Sequence, residues 1–316
     1  MPGIIDYDYG ISAVDSGYVR PQLDAVHLIV ENGRAAVIDT GTQHSVPHIL
    51  AALAAKGVAP AAVDFVILTH IHLDHAGGAG ALMRALPGAT LTVHPRGVRH
   101  MVDPSRLIQG TVDVYGKAQT QALYGDILPV AQERIVATPD GAQLALAGRV
   151  LTFHETPGHA RHHVVIHDQR SGHVFAGDTF GLSYRELDDD GRQFIFPTTS
   201  PVQFEPGPYH RSIDLIAGLA KDAVYLTHYS RLRNPQSRVA DLHRLIDAHA
   251  ALALALRDAG PERERRLYEG VRYLLLEEAH RYGTPLSDDD VMAVYGTDVE
   301  LNAQGLGVWL DTAAQA

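Results

Sequence analysis

The chain has no cysteine among its 316 residues. Disulfides, zinc–thiolate sites, iron–sulfur clusters and thiol nucleophiles are therefore excluded. It has no apolar run long enough to cross a membrane. The opening residues, MPGIIDYDYG, are acidic and show no basic stretch leading into an apolar one, so no secretory leader is expected and a cytoplasmic location is the default. Basic charge is scarce: the formal net charge is -11, and no Lys/Arg run is interleaved with aromatics. Nucleic acid and anionic membranes are accordingly not expected as partners, and a small molecule is. Apolar residues, at 46%, suffice for an ordinary globular core. The one surplus is histidine, with 19 residues, and histidine is the commonest metal-binding side chain.

Strand and helix signals alternate through the first half. AVHLIV (25–30) and AAVIDTG (35–41) are β-rich and joined by the turn ENGR. VPHILAALAAKG (46–57) has helical spacing and a closing glycine, DFVILTH (64–70) reads as a strand, GGAGALMRALPG (77–88) as a helix and TLTVHP (90–95) as a strand. Residues 97–130 read as mostly helical. The second half repeats the pattern, with VLTFHETPGH (150–159) a strand entering a Pro-Gly turn and 163–179 a hairpin. Residues 180–208 read as a long aromatic, proline-rich loop, 209–220 as a helix and DAVYLTHYS (222–230) as a strand. Beyond residue 235 only helical periodicity remains, which divides the chain into a catalytic domain at 1–235 and a helical extension at 236–316. An internal echo links the halves. DFVILTH matches DAVYLTH at Asp, Val, Leu, Thr and His, and each follows a hairpin ending in Asp-Thr, at VIDTG and at FAGDT. Two related halves would meet with their loops at a shared edge, where sites form.

DFVILTHIHLDHAGG carries the densest chemistry. An apolar strand ends in His70, His72, Asp74 and His75 and then in glycines. In extended chain residues i and i+2 point the same way, so His70 and His72 can converge. Asp74 and His75 can bend back where the chain turns. Three imidazoles and a carboxylate can serve more than one divalent ion, but two ions need further ligands. ETPGH offers His159, FAGDT offers Asp178 and LTHYS offers His228, each leaving the end of an apolar strand. A lone His or Asp in such a place is ordinarily a cap or a surface group. The four segments together form a constellation.

THIHLDHAGG, TPGH, AGDT and LTHYS, in this order and spacing, resemble the metallo-β-lactamase superfamily, and VIDTG resembles its earlier aspartate. The resemblance covers roughly residues 10–235. It implies an α/β (α+β) fold, a four-layer αββα sandwich of two mixed sheets with helices outside and a binuclear site at one edge. Carried over residue by residue, it implies that His70, His72 and His159 hold one metal, that Asp74, His75 and His228 hold a second, and that Asp178 bridges them. Asp39 would orient a ligand from behind. The Pro-Gly context singles out His159 over its neighbours. His163 is expected to be an outer or core histidine, His162 and Arg161 have no role assigned, and His44, His48, His94, His100, His167 and His173 are expected to be ordinary strand or surface residues.

Nitrogen and carboxylate ligands without sulfur suit two divalent ions, zinc first, with iron or manganese as alternatives. The reaction implied is hydrolysis of a small ester, thioester or lactone by a metal-bridging hydroxide, with Asp74 as the group that orients it and passes a proton. The alternative is a mononuclear iron oxidoreductase of the persulfide dioxygenase type on the same fold. HIHLDHAGG and TPGH resemble the glyoxalase II-like branch and related lactonases. No glutathione-binding region like that of glyoxalase II is recognisable, and Gly181 stands where lactonases carry a tyrosine. Tyr184 is the candidate catalytic hydrogen-bond donor to substrate, with Tyr229 beside it; Arg231 and Arg233 are candidates to meet a carboxylate. The helical tail either caps the pocket or forms the interface of a homodimer.

Overall fold

A computed structural model describes residues 3–199 and 203–313. Two mixed sheets lie face to face. The first comprises β1 (Ile4–Asp6), β2 (Ile11–Asp15), β3 (Ala25–Glu31), β4 (Arg34–Ile38), β5 (Val63–Ile67), β6 (Thr90–Val93) and β7 (Ile135–Ala137), in that spatial order. Its first four strands run antiparallel and the last four parallel, since β5 and β6 are each reached through helical crossovers. The second sheet has the order β13-β12-β11-β10-β9-β8, from β8 (Gln143–Leu146), β9 (Arg149–Glu155), β10 (Val164–Asp168), β11 (His173–Gly177), β12 (Ala223–Leu226) and β13 (Ser230–Arg233).

The strand sequences decide the layers because side chains alternate with a period of two. In β4, Ala36 and Ile38 face the second sheet while Ala35 and Val37 face outward. In β11, Phe175 faces the first sheet, and Val174 and Ala176 face the helices on the other side. Both faces of these strands are apolar because both are covered. Phe175 and Tyr225 stack at the centre of the sandwich with ring centroids 4.9 Å apart. Burying each such ring contributes about 2 kcal/mol.

Against the outer face of the first sheet pack α1 (Val46–Ala55) and α3 (Ala79–Ala85), with the single turn α2 (Leu73–Ala76) before α3. The helical stretch expected at 97–130 resolves into α4 (Val98–Val102), α5 (Ser105–Tyr115) and α6 (Lys117–Tyr124), broken at Gly116, whose φ is +76°. α7 (Pro206–Leu219), α8 (Val239–Ala255), α9 (Arg263–Tyr282) and α10 (Asp288–Ala313) cover the second sheet. Leu267, Val271, Leu275 and Ala279 form the buried stripe of α9; Val291, Tyr295, Val299, Leu306 and Leu310 form that of α10. These side chains share one apolar cluster with Val174 and Val224 of the sheet. The four-layer sandwich with C-terminal helices is thus the fold, as the sequence led one to expect.

The 180–208 segment differs from the expectation. Phe180, Phe194, Phe196 and Phe204 are buried in the cluster between the second sheet and the C-terminal helices, while Leu182 and Tyr184 of the same segment line the cavity beside the strand ends. The segment lacks regular structure because its aromatics fill gaps between layers, and α7 begins earlier than expected, at Pro206. Residues 200–202 of that segment lie outside the described residues.

Candidate metal centre

The echo in the sequence becomes a structural repeat. In the first sheet an antiparallel hairpin, β3–β4, is followed by β5 parallel to β4; in the second, β10–β11 is followed by β12 parallel to β11. The matching strand ends meet at one edge of the sandwich. His70 follows β5, Asp178 follows β11, and His228 follows β12. His72, Asp74 and His75 lie at or in α2, and His159 lies in the turn between β9 and β10.

Three groups of ligand-type atoms form there, the members of each within 4.8 Å of one another: His70, His72 and His159; His70, His75 and Asp178; Asp74, His75 and His228. His72 Nδ1 lies 2.8 Å from His70 Nε2 and 3.0 Å from His159 Nε2. Asp178 straddles the groups, with Oδ1 3.4 Å from His75 Nε2 and 3.7 Å from His228 Nε2, and Oδ2 3.6 Å from His159 Nε2. Asp74 Oδ2 is 3.6 Å from His75 Nε2 and 3.5 Å from His228 Nε2.

Outer partners fix the ring orientations. Asp39 accepts hydrogen bonds from the Thr69 amide (2.8 Å), from the Thr69 hydroxyl (2.8 Å to Oδ2) and from His75 Nδ1–H (3.0 Å). Since Thr69 gives its proton to Asp39, its oxygen is left to accept from His70 Nδ1–H at 3.1 Å. Both imidazoles therefore aim Nε2 inward. His228 donates from Nδ1 to the Leu23 carbonyl at 2.9 Å, which frees its Nε2 likewise. His163 is engaged on both sides, by Thr156 Oγ1 and by the Asp178 amide, so it has no free lone pair to offer.

Electrostatics match a cation-binding role. Burial holds His70 and His72 well below the ordinary histidine pKa, with neighbouring imidazoles adding to it, and burial lowers His159 too. For His75 and His228 burial acts downward but the carboxylates prevail: Asp178, Asp74 and Asp39 raise His75 well above its usual value, and Asp178 and Asp74 raise His228 to about 10. Burial pushes Asp74 and Asp178 upward, yet His75 and His228 hold both below the ordinary carboxylate range. His75 Nε2 and Asp178 Oδ1 are buried and have no hydrogen-bond partner among the described residues. Native proteins rarely leave such atoms unsatisfied, and inward lone pairs from imidazoles and carboxylates suit divalent cations. The residues present therefore fit metal ions.

The model of the metallo-beta-lactamase superfamily matches residues 23–228 of this chain. The chain belongs to that superfamily. The superfamily protein ST1585 of Sulfolobus tokodaii has a similar fold over 95% of this chain and 99% of its own (TM-score 0.64, 20% identity). TTHA1429 of Thermus thermophilus, a metallo-beta-lactamase family protein, is similar over 96% and 94% (TM-score 0.65, 21% identity). A hydroxyacylglutathione hydrolase of Stenotrophomonas maltophilia is 30% identical over 152 residues, which span 48% of this chain and 44% of that one. The expectation of a metallo-beta-lactamase superfamily enzyme of the hydrolase kind is borne out.

The centre opens into a cavity of about 1500 Å³. Tyr184 lines it, but its hydroxyl donates to Asp298 at 3.3 Å, and Arg20 lies over its ring. Tyr229, Arg231 and Arg233 do not line it; Arg231 stacks on Tyr7 instead. Other walls were not foreseen. Tyr18 and Tyr124 stack together above the centre with hydroxyls 3.1 Å apart. His162, without an expected role, faces the first trio. Val294, Asp298 and Leu301 of α10 form part of the wall, so the helical tail covers the pocket. Asp24 is fully buried next to this region, its carboxylate has no hydrogen-bond partner among the described residues, and burial raises its pKa to about 7. Only an acidic residue just before a β-rich run hinted at Asp24; nothing local marked the rest.

Proposed function

We propose that this chain is a binuclear metal-dependent hydrolase of a small ester, thioester or lactone. The observation that carries this reading is Asp178, whose two carboxylate oxygens divide between two groups of histidines. His70, His72 and His159 would hold one ion, Asp74, His75 and His228 the other, and Asp178 would touch both. Two divalent ions, zinc first among them, supply an acidified water and a polarised acyl oxygen. Asp74 lines the cavity and stays ionised, so its free oxygen can orient the attacking water and later return a proton to the leaving group. Tyr18, Tyr124 and the α10 side chains restrict bulk water around the acyl group. Tyr184 acts with Asp298 as a wall that can turn its hydroxyl to a substrate oxygen.

The hydroxyacylglutathione hydrolases of Stenotrophomonas maltophilia and Aeromonas salmonicida support the acyl-hydrolysis reading. So does the cavity wall that carries Arg96, Arg99 and Arg106, of which Arg99 donates to neutral His100. Three arginines on one cavity wall of an acidic chain favour a substrate with a carboxylate or phosphate on its acyl or leaving group. A cytoplasmic location is part of the proposal.

The test is metal content by elemental analysis of untagged protein, followed by turnover of thioester and lactone panels. At least two ions per chain, with turnover abolished and metal reduced in Asp178→Ala, is the expected result. Turnover that survives in Asp178→Ala would overturn the binuclear reading. One iron per chain with oxygen consumption would favour the dioxygenase alternative.

A further inference from the structure

Two identical sequence pairs outside the centre come together on the surface. HRSID places His210 and Asp214 one turn apart on α7, and HRLID places His243 and Asp247 one turn apart on α8. Residues i and i+4 share a helix face, so each helix presents one His and one Asp to the other. The contacts cross between the helices: His210 Nε2 lies 2.9 Å from Asp247 Oδ1, and His243 Nε2 lies 2.8 Å from Asp214 Oδ1. The two Nδ1 atoms face each other 2.5 Å apart. The next residues inward, Ile213 and Ile246, are fully buried, which anchors both helices under the four side chains.

We propose that His210 and His243 form a second metal site, remote from the catalytic centre, for one imidazole-preferring divalent ion of the zinc, copper or nickel class. A carboxylate on each Nε2 holds the proton there and leaves both Nδ1 lone pairs directed at one point, the arrangement typical of metal-binding imidazoles. Two nitrogens on a tetrahedral ion stand about 3.3 Å apart, so the rings need to part by less than ~1 Å. Both side chains are about a quarter exposed, at 26% and 27%, which allows that movement and leaves room for water on the remaining positions. The ion would replace the proton shared between the rings and cross-link α7 to α8. Without a metal, the same geometry is a proton-sharing histidine pair.

The experiment is equilibrium dialysis of the full chain against Zn2+, with ions counted per chain, in wild type, His210→Gln, His243→Gln and Asp178→Ala. The expected result is one ion fewer in each histidine variant with hydrolysis unchanged, while Asp178→Ala loses catalytic metal and keeps this ion. Asp214→Asn should weaken this ion about tenfold without changing the count at saturation. Zn2+ should also raise the thermal midpoint of Asp178→Ala by more than that of Asp178→Ala/His243→Gln, since the ligand groups that lack Asp178 remain in both. Equal counts in wild type and both histidine variants would overturn the proposal and leave the pair as a shared-proton contact.

Discussion

Thr69 and Thr227 occupy matching places after β5 and β12, and their hydroxyls both donate to the same oxygen, Asp39 Oδ2, at 2.8 and 3.1 Å. One buried carboxylate thus ties the two halves together behind the centre. It also fixes His75 directly and His70 through Thr69.

Asp39→Asn tests that tie. The amide keeps the shape but offers a donor where His75 and the threonines need acceptors. Affinity for zinc should fall 10–100-fold, read by competition against a chromophoric chelator, with circular dichroism reporting an intact fold. Unchanged affinity would reduce Asp39 to a purely structural tie.

Metal binding should release protons. His75 and His228 carry raised pKa values, to about 10 for His228, so both are protonated near neutral pH without metal. Ligation needs their Nε2 lone pairs, so loading should expel about two protons and affinity should rise with pH up to about 10. Calorimetry in buffers of different ionisation enthalpy measures this. No proton release would remove His75 and His228 from the ligand set.

Asp298 makes stability pH-dependent. Burial raises its carboxyl to about 6, from an ordinary 3.8. The folded chain then binds more protons than the unfolded chain between those values, so this group subtracts stability as pH rises through 3.8 to 6 and subtracts it fully above 6. Asp298→Asn should therefore be more stable than wild type at pH 7.5, by about 1–2 kcal/mol given that Asp298 also faces cavity water, and equal to it below pH 4. Urea midpoints at the two pH values decide. A variant less stable at pH 7.5 would refute the account.

Gly158→Ala should damage the turn that carries His159. Gly158 has φ +138°, and a Cβ there would lie 2.4 Å from Tyr209 Cα. Backbone at that distance cannot yield without moving the start of α7 or the turn. A loss of about 3 kcal/mol is expected, with the ion held by His70, His72 and His159 weakened more than the other. Wild-type stability would mean that the turn relaxes freely.

The ligand-type residues were legible because their signal is local. A strand must end where its apolar alternation ends, so His70, Asp178 and His228 stand out as polar groups at strand termini. HIHLDH adds His72, Asp74 and His75 within the next turn of chain. Helices 236–313 were equally legible from their apolar period, since that period reports a buried face. Nothing in that period says what the face or its neighbours touch. Asp298 reaches Tyr184 across 114 positions. Tyr18 and Tyr124 meet across 106.

Composition and pattern therefore decided the alternation of strands and helices, the two related halves, the chemistry of the ligands and their place at strand ends, because backbone periodicity and side-chain type are properties of short segments; the four-layer sandwich was what the family resemblance implied. Tertiary packing alone decided that Asp39 serves both halves, that four phenylalanines of the long segment are core, that α10 supplies part of the cavity wall, and that HRSID meets HRLID. Those outcomes depend on which surfaces meet when the sheets and helices pack, and no short segment carries that information.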